Sequence, residues 1–322
     1  MLASLDAPPY SREMTLDRPL LGIMLMLGFC ILAPVGDAIA KILGQTVPVG
    51  QLVLVRFAIQ ALILIPLVYA TGRVWRMSRK VTVLTFVRTI LHIAGIGTMV
   101  TALKFLPLAD AIAIAFVMPF IMLLLGRFAL QEEVGGRRIA ACAVGFVGTL
   151  LVVQPSFSEV GWPALLPVGV ALNFALFMLV TRQIAKQTDP ISLQAVSGVM
   201  AVIIMLPVFW LAQGSSYGQL QLVSVSNFDW SLLVSIGLLG TIAHLLMTWS
   251  LRYAPSATLA PMQYLEIPFA TVLGFIVFGD LPDPVAAVGI VITVFAGLYV
   301  VLRERATAKA LATQATPVQP AE

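Results

Sequence analysis

The sequence predicts an all-α membrane protein: ten transmembrane helices arranged as two inverted five-helix repeats. Three observations carry this. Ten apolar stretches of bilayer-crossing length fill the chain from Leu20 to Leu302, separated by short polar breaks. The 322 residues are 60% hydrophobic and 11% charged, more apolar surface than one soluble core could hide. The second half of the chain also repeats motifs of the first.

In order, the spans cover residues 20–43, 49–70, 81–104, 108–130, 137–153, 162–184, 190–212, 229–252, 256–278 and 284–302. Each is near the ~20 residues that an α-helix needs to cross the hydrocarbon. Barrel strands would be half as long and would alternate apolar with polar residues, which these do not. The first follows Arg18 and ends at Lys41. The second lies between Pro48 and Arg73, and the third between Lys80 and Lys104. Pro107 precedes the fourth and Arg127 closes it. Arg137 and Arg138 open the fifth. The sixth ends at Arg182 and Lys186, the seventh starts at Pro190, and the eighth ends at Arg252. Pro255 precedes the ninth, and Arg303 follows the tenth. Residues 1–19 and 303–322 are cytoplasmic tails, of which the first 18 residues and those after Arg305 are polar or rich in Ala, Thr and Pro and are expected to be disordered.

The formal charge of +4 is not a nucleic-acid signature, because the basic residues sort by membrane face. With a cytoplasmic N-terminus, only Lys41 and Lys104 of the 19 Lys and Arg fall outside, and Arg56 and Arg88 lie within spans. The other fifteen are cytoplasmic, so both termini are expected in the cytoplasm of a bacterial inner membrane. Ala38-Ile39-Ala40 imitates a cleavage site, but loss of the first span would spoil that charge pattern, so the span is expected to stay. Cys30 and Cys142 sit inside spans as small apolar residues and form no disulfide framework.

Leu103-Lys104-Phe105-Leu106-Pro107 matches Leu251-Arg252-Tyr253-Ala254-Pro255 at an offset of 148 residues. The same offset carries Glu132 onto Asp280, and Ala141, Gly145 and Thr149 onto Gly289, Thr293 and Gly297. Upstream, Pro48, Pro66 and Ala40-Lys41 match Pro190, Pro207 and Ala185-Lys186. Residues 20–154 therefore form a first repeat and 160–302 a second. Five spans per repeat is an odd number, so the second copy enters the membrane inverted. That is the architecture of secondary transporters, with substrate near midplane between the halves. Duplication also makes channels and scaffolds. The small residues at i, i+4, i+8 on spans five and ten give each helix a flat face. This suits packing of the two helices on each other, or alternatively a homodimer interface.

With Leu103–Asp110, Pro119, Gln131-Glu132-Glu133, a Gly-rich fifth span and Arg56-Phe57, the chain resembles the EamA repeat of the drug/metabolite transporter superfamily. Glu266-Ile267-Pro268 and Gly279-Asp280 stand where the second repeat often has Glu-Pro and Gly-Glu. The resemblance covers residues 20–302 and is closest to the branch with riboflavin and S-adenosylmethionine uptake carriers. It implies a carrier fold and says little about substrate.

Ionisable groups within a membrane are expensive, so each needs an account. Glu266 lies near midplane and shares a face with Gln263, beside Tyr264. It suits a substrate cation or amide or a coupling proton, or else a fixed ion pair with Arg56 or Arg88. Arg88 and His92, at i and i+4 with Gly95 one turn on, form a donor cluster for an anionic or carbonyl-bearing substrate; the alternatives are neutralisation of Glu266 and a satisfied core histidine. Arg56 reads as structural. Asp37 and Lys41 read as a helical ion pair, and Asp110 as an N-cap. Asn173, His244 and Trp249 are weaker cavity candidates, more often interhelical glue. Pro119 and Pro268 interrupt spans four and nine at matching places and read as hinges.

An enzyme is not expected. Gly214-Ser215-Ser216-Tyr217-Gly218 matches a nucleophile-elbow pattern by letter, but it sits in a polar loop with no strand before it. Neither a metal site nor a cofactor is expected, and no nucleotide-binding domain couples ATP. The reading is a carrier moving a small organic metabolite across the lipid bilayer by alternating access, with riboflavin, S-adenosylmethionine and amino-acid-like metabolites as candidates. A channel or scaffold is the alternative.

Overall fold

The computed structural model describes residues 18–131, 135–212 and 218–314. The Glu132-Glu133 motif, Ser216 and residues 1–17 and 315–322 of the tails lie outside the described residues. Within them the chain is helical throughout: α1 (Pro19–Leu43), α2 (Val49–Ala70), α3 (Arg79–Ala102), α4 (Leu108–Ala115), α5 (Met118–Ala129), α6 (Gly136–Val160), α7 (Leu166–Ala185), α8 (Pro190–Ala212), α9 (Asn227–Tyr253), α10 (Ser256–Leu259), α11 (Glu266–Leu273) and α12 (Pro284–Gln314). A 3₁₀ turn precedes α7. Another, Ala260–Leu265, joins α10 to α11, which ends in a π turn, Gly274–Phe278.

Seven segments of the described residues are long and apolar enough to cross a membrane: α1, α2, α3, α4 with α5, α7 with its leading turn, α8 and α9. The other three expected spans fall on α6, on α10 to α11 with its π turn, and on α12, where the apolar stretches among the described residues are Ile139–Leu151, Met262–Phe278 and Pro284–Ala296. In the ninth the helix type changes three times, from α to 3₁₀, back to α and then to π. In the tenth the sequence is apolar as far as Leu302, and α12 runs on to Gln314 where a disordered tail was expected. The extension is rich in Ala, Lys and Arg, strong helix formers that need no packing to favour a helix.

Local chemistry sets several helix starts. Ser78 Oγ accepts from the Val81 amide at 3.3 Å, and Ser226 Oγ from the Asp229 amide at 3.1 Å, capping α3 and α9. Pro107 and Pro255, the prolines of the repeated motif, precede α4 and α10 with nearly equal backbone angles (φ −54°, ψ 149° and φ −59°, ψ 146°). Asp110 is not the N-cap expected from the sequence: Pro107 is, and Asp110 falls in the first turn, where its carboxylate faces the positive helix end.

The principal packing pairs are α6 with α12, α1 with α9, α3 with α7, and α2 with α8. Small residues allow the closest approaches. A Cβ on Gly148 would lie 2.6 Å from the Gly289 carbonyl oxygen, and one on Gly22 would lie 2.6 Å from the Ala254 Cβ. Ala141, Gly145, Thr149, Gly289 and Thr293 are buried inside this one chain, which removes them as the homodimer face considered above. Gly145 is taken up by the Tyr264 ring, 2.6 Å from where its Cβ would be.

Spans four and nine are both broken near their middles, at Phe116-Val117 between α4 and α5 and at the 3₁₀ turn before α11. Pro119 and Pro268 lie in the first turn after each break. There a proline sacrifices no helical hydrogen bond, so each marks a restart rather than a kink within a continuous helix.

Two large apolar clusters stack along the bundle. One gathers Leu43, Leu52, Phe57, Leu103, Leu106 and Leu108 towards the face with the α1–α2 and α3–α4 connections. The other, towards the face where α1 begins, is rich in methionine: Met26, Met118, Met122, Met178, Met247 and Met262.

Candidate functional site

Between these clusters lies a cavity with about 910 Å³ of empty space counted out to its mouth. Its wall comes from both halves of the chain. Phe29, Leu32, Ala33, Gly36 and Asp37 recur at helical spacing along α1. Leu91, His92, Gly95, Ile96, Met99 and Val100 do the same along α3. Arg56, Ile112, Phe116, Phe174, Gly240, His244 and Glu266 complete it from α2, α4, its following turn, α7, α9 and α11. The lining runs from the middle of the bundle towards the end with the α1–α2 connection, as far as Asp37 on α1 and Val100 on α3. Beyond the middle, Met26, Met178, Met247 and Met262 are fully buried and close the other half.

The wall is mostly apolar and aromatic. Phe29 stacks on Phe174 with centroids 6.2 Å apart, and Phe174 on Phe177 at 5.4 Å. His92 and His244, far apart in sequence, meet with ring centroids 4.3 Å apart. Edge contacts to Phe57 and Phe29 hold the pair. His244 Nδ1 is 2.9 Å from the Gly240 carbonyl and 3.4 Å from Arg56 Nη2. The shorter contact assigns the proton to Nδ1, donating to the carbonyl. Arg56 is then a second donor at close approach, and Nε2 is left as acceptor.

Three charged groups share the cavity. Arg56 packs over Gly240, where a Cβ would lie 2.6 Å from its Nε, so only glycine leaves the guanidinium this position. Asp37 lies within its electrostatic reach. Glu266, 8% exposed, has no cationic side chain within 4.0 Å among the described residues. The charged neighbour it feels is Asp37, of like sign. With all three ionised the cavity carries one uncompensated negative charge, an arrangement that favours a cation or a proton from outside the chain.

The sequence-predicted candidates divide. Glu266, His92 and His244 line the cavity. So do Asp37 and Arg56, both read as structural. The Asp37–Lys41 pair does not form: Lys41 Nζ reaches Asp280 at 3.3 Å and the Leu106 carbonyl at 3.1 Å, because its long stem extends past the end of α1. Arg88 is one turn below His92 and fully buried, and neither Glu266 nor any other described carboxylate neutralises it. Gln263 points into the methionine cluster, its Nε2 3.1 Å from Met178 Sδ. Tyr264 is outside the cavity wall: its hydroxyl donates to the Cys142 carbonyl at 3.3 Å and its ring packs on α6. Asn173 fits against Gly95 between α3 and α7. Trp249 packs with Leu64, Val68 and Ile191, away from the cavity. The aromatic panel of Phe29, Phe116 and Phe174 was missed, and its one sequence signal was the helical spacing of Phe29 with Asp37. No group of three metal-ligating side chains occurs among the described residues.

The model of the EamA-like transporter family matches residues 20–154 and 161–303. The chain is similar to a riboflavin transporter of Brucella anthropi, 27% identical over 225 residues, covering 69% of this chain and 77% of the other. It is similar to an S-adenosylmethionine uptake transporter of Rickettsia felis, 23% identical over 272 residues, covering 84% and 88%. A solved crystal structure superposes with a TM-score of 0.65 at 19% identity, covering 89% of this chain and 97% of its own, a likeness of fold alone.

Proposed function

The chain belongs to the EamA-like transporter family, a multi-pass membrane transporter of small metabolites and no enzyme, and from that premise we propose a ten-helix carrier that works by alternating access. In this reading α1 to α6 form one repeat and α7 to α12 its inverted copy. The packing pairs support it: exchanging the repeats turns α1 with α9 into α7 with α3, and leaves α2 with α8 and α6 with α12 unchanged. The basic residues Arg73, Arg76, Arg79, Lys80, Arg137, Lys186 and Arg252 support a cytoplasmic face at the start of α1. The conformation is then outward-facing, with the methionine cluster as the closed inner half. Methionine can repack without a fixed shape, which suits a half that must open and close.

The observation that carries the substrate assignment is Glu266, unpaired in an aromatic cavity. It favours a metabolite with a ring that stacks on Phe29 and Phe174 and a cationic or amide group for Glu266. S-adenosylmethionine has both, and riboflavin has the ring and amide; the relatives named for them support testing these two first. A sealed inner half argues against an open channel.

Counterflow in proteoliposomes tests this. Labelled S-adenosylmethionine or riboflavin should enter saturably, and faster when the same unlabelled compound is loaded inside. Flux that neither saturates nor responds to internal substrate would sink the carrier in favour of a channel.

A further inference from the structure

Below the cavity floor is a second polar site that the outward-facing cavity does not reach. Arg88 is 0% exposed. Its Nε donates to Thr181 Oγ1 at 2.8 Å, and its Nη1 to Ser197 Oγ at 2.9 Å and Gln194 Oε1 at 3.4 Å. All three acceptors are neutral. The Phe177 ring lies 4.5 Å from the guanidinium carbon. Nη2 has no partner, and no described carboxylate is within 4.0 Å. An arginine keeps its charge, and an uncompensated charge among apolar helices is costly. A purely structural role would call for a carboxylate or for full satisfaction of its donors, and Arg88 has neither.

Two rings link Arg88 to the cavity wall. His92 is one turn along α3 and lines the cavity, while Phe177 touches both, 4.7 Å from His92. Both His92 nitrogens are buried without a partner as well. Unmet hydrogen bonding therefore continues from cavity to arginine through the floor. We propose that Arg88 is a second substrate station, for a carboxylate, shut behind His92 and Phe177 in this conformation and exposed when the opposite half of the bundle opens. This rests on the carrier reading above. One guanidinium with hydroxyl and amide neighbours balances a single negative charge and offers a fork matched to a carboxylate. Thr181, Ser197 and Gln194 hold the arginine until that group displaces them. A carboxylate-bearing substrate would pass from Glu266, which takes its cation, to Arg88.

The test keeps Arg88 and reads its field. In full-length protein with Cys30→Ala and Cys142→Ala, a single Ser197→Cys is labelled with carboxyethyl methanethiosulfonate (anionic) or trimethylammonioethyl methanethiosulfonate (cationic). Each rate is divided by that reagent's rate with free 2-mercaptoethanol. Labelling is expected in inside-out vesicles and not from outside in intact cells, with the anionic reagent favoured at least about tenfold, the low end of charge focusing in a cleft. Arg88→Lys should keep the preference and Arg88→Gln should abolish it. Thr181→Cys repeats the measurement should Ser197→Cys fold poorly. Equal corrected rates, or no labelling from the inner face, would overturn the station. Counterflow without anion-selective labelling would sink the station alone, whereas anion-selective labelling without any counterflow would leave the station and sink the carrier.

Discussion

At the scale of single residues, the proposed site can be divided by mutation into groups that hold the fold and groups that take a ligand. Glu266 has no cation to lose, so Glu266→Gln should leave folded yield intact and melting temperature within about 2 °C, while counterflow falls at least about tenfold, or ~1.4 kcal/mol. Asp37→Asn differs, because it withdraws the carboxylate whose charge acts on a buried Arg56 and should lower the melting temperature more than Glu266→Gln does. A thermal-shift series that ranks the two the other way would reverse their roles. Tyr264→Phe removes one buried hydrogen bond, to the Cys142 carbonyl, outside the cavity. It should cost about 1 kcal/mol of stability and leave the substrate KM unchanged. A raised KM would return Tyr264 to the binding set.

At the scale of helices, close approach and interruption matter most. Gly148 meets the Gly289 backbone and Thr293 where α6 crosses α12. Its neighbour there is backbone rather than the free end of a side chain, so Gly148→Leu should force the helices apart and destabilise by about 1–3 kcal/mol or more. Val147→Leu, one residue away on an exposed face, should be near neutral. Equal thermal stability of the two variants would mean that the crossing tolerates separation. The broken spans act differently. Their restarts near Pro119 and Pro268 bring a turn and a 3₁₀ stretch to the cavity's depth, and Glu266 stands in the first turn of α11 directly after the second.

At the scale of the whole molecule, salt bridges tie the two halves at both ends. Arg73 pairs with Asp189 on the face where α1 begins, and Lys41 with Asp280 on the other. Both pairs are partly exposed, so each is worth little as stability, ~0–1 kcal/mol, and in the proposed carrier each would act as a latch between the halves. The orientation has its own check. In the cysteine-free background, Thr46→Cys should react with an impermeant maleimide in intact cells, and Val74→Cys only after the membrane is broken. The opposite pattern would invert the protein and make the conformation inward-facing.

The sequence by itself determined the class, because bilayer length and the exclusion of charge from hydrocarbon leave a local, one-dimensional record, and its repeated motifs raised the two-repeat reading proposed above. It also marked the residues costly enough to need an explanation, Glu266, Arg88, Arg56, Asp37 and the two histidines. It could not say which of them share a space. Whether Lys41 turns back to Asp37 or reaches Asp280, whether Arg56 or Arg88 lines the cavity, and whether His92 meets His244 all depend on how α1, α3, α7 and α9 cross. Those crossings depend on close approach at glycines: Gly22 lies against the Ala254 and Ser250 backbone, and Gly95 and Gly240 leave room for the Asn173 and Arg56 side chains. In a chain where nearly every helix face is apolar, periodicity does not distinguish a cavity wall from a lipid-facing or a helix-facing side. Only the tertiary packing made that distinction.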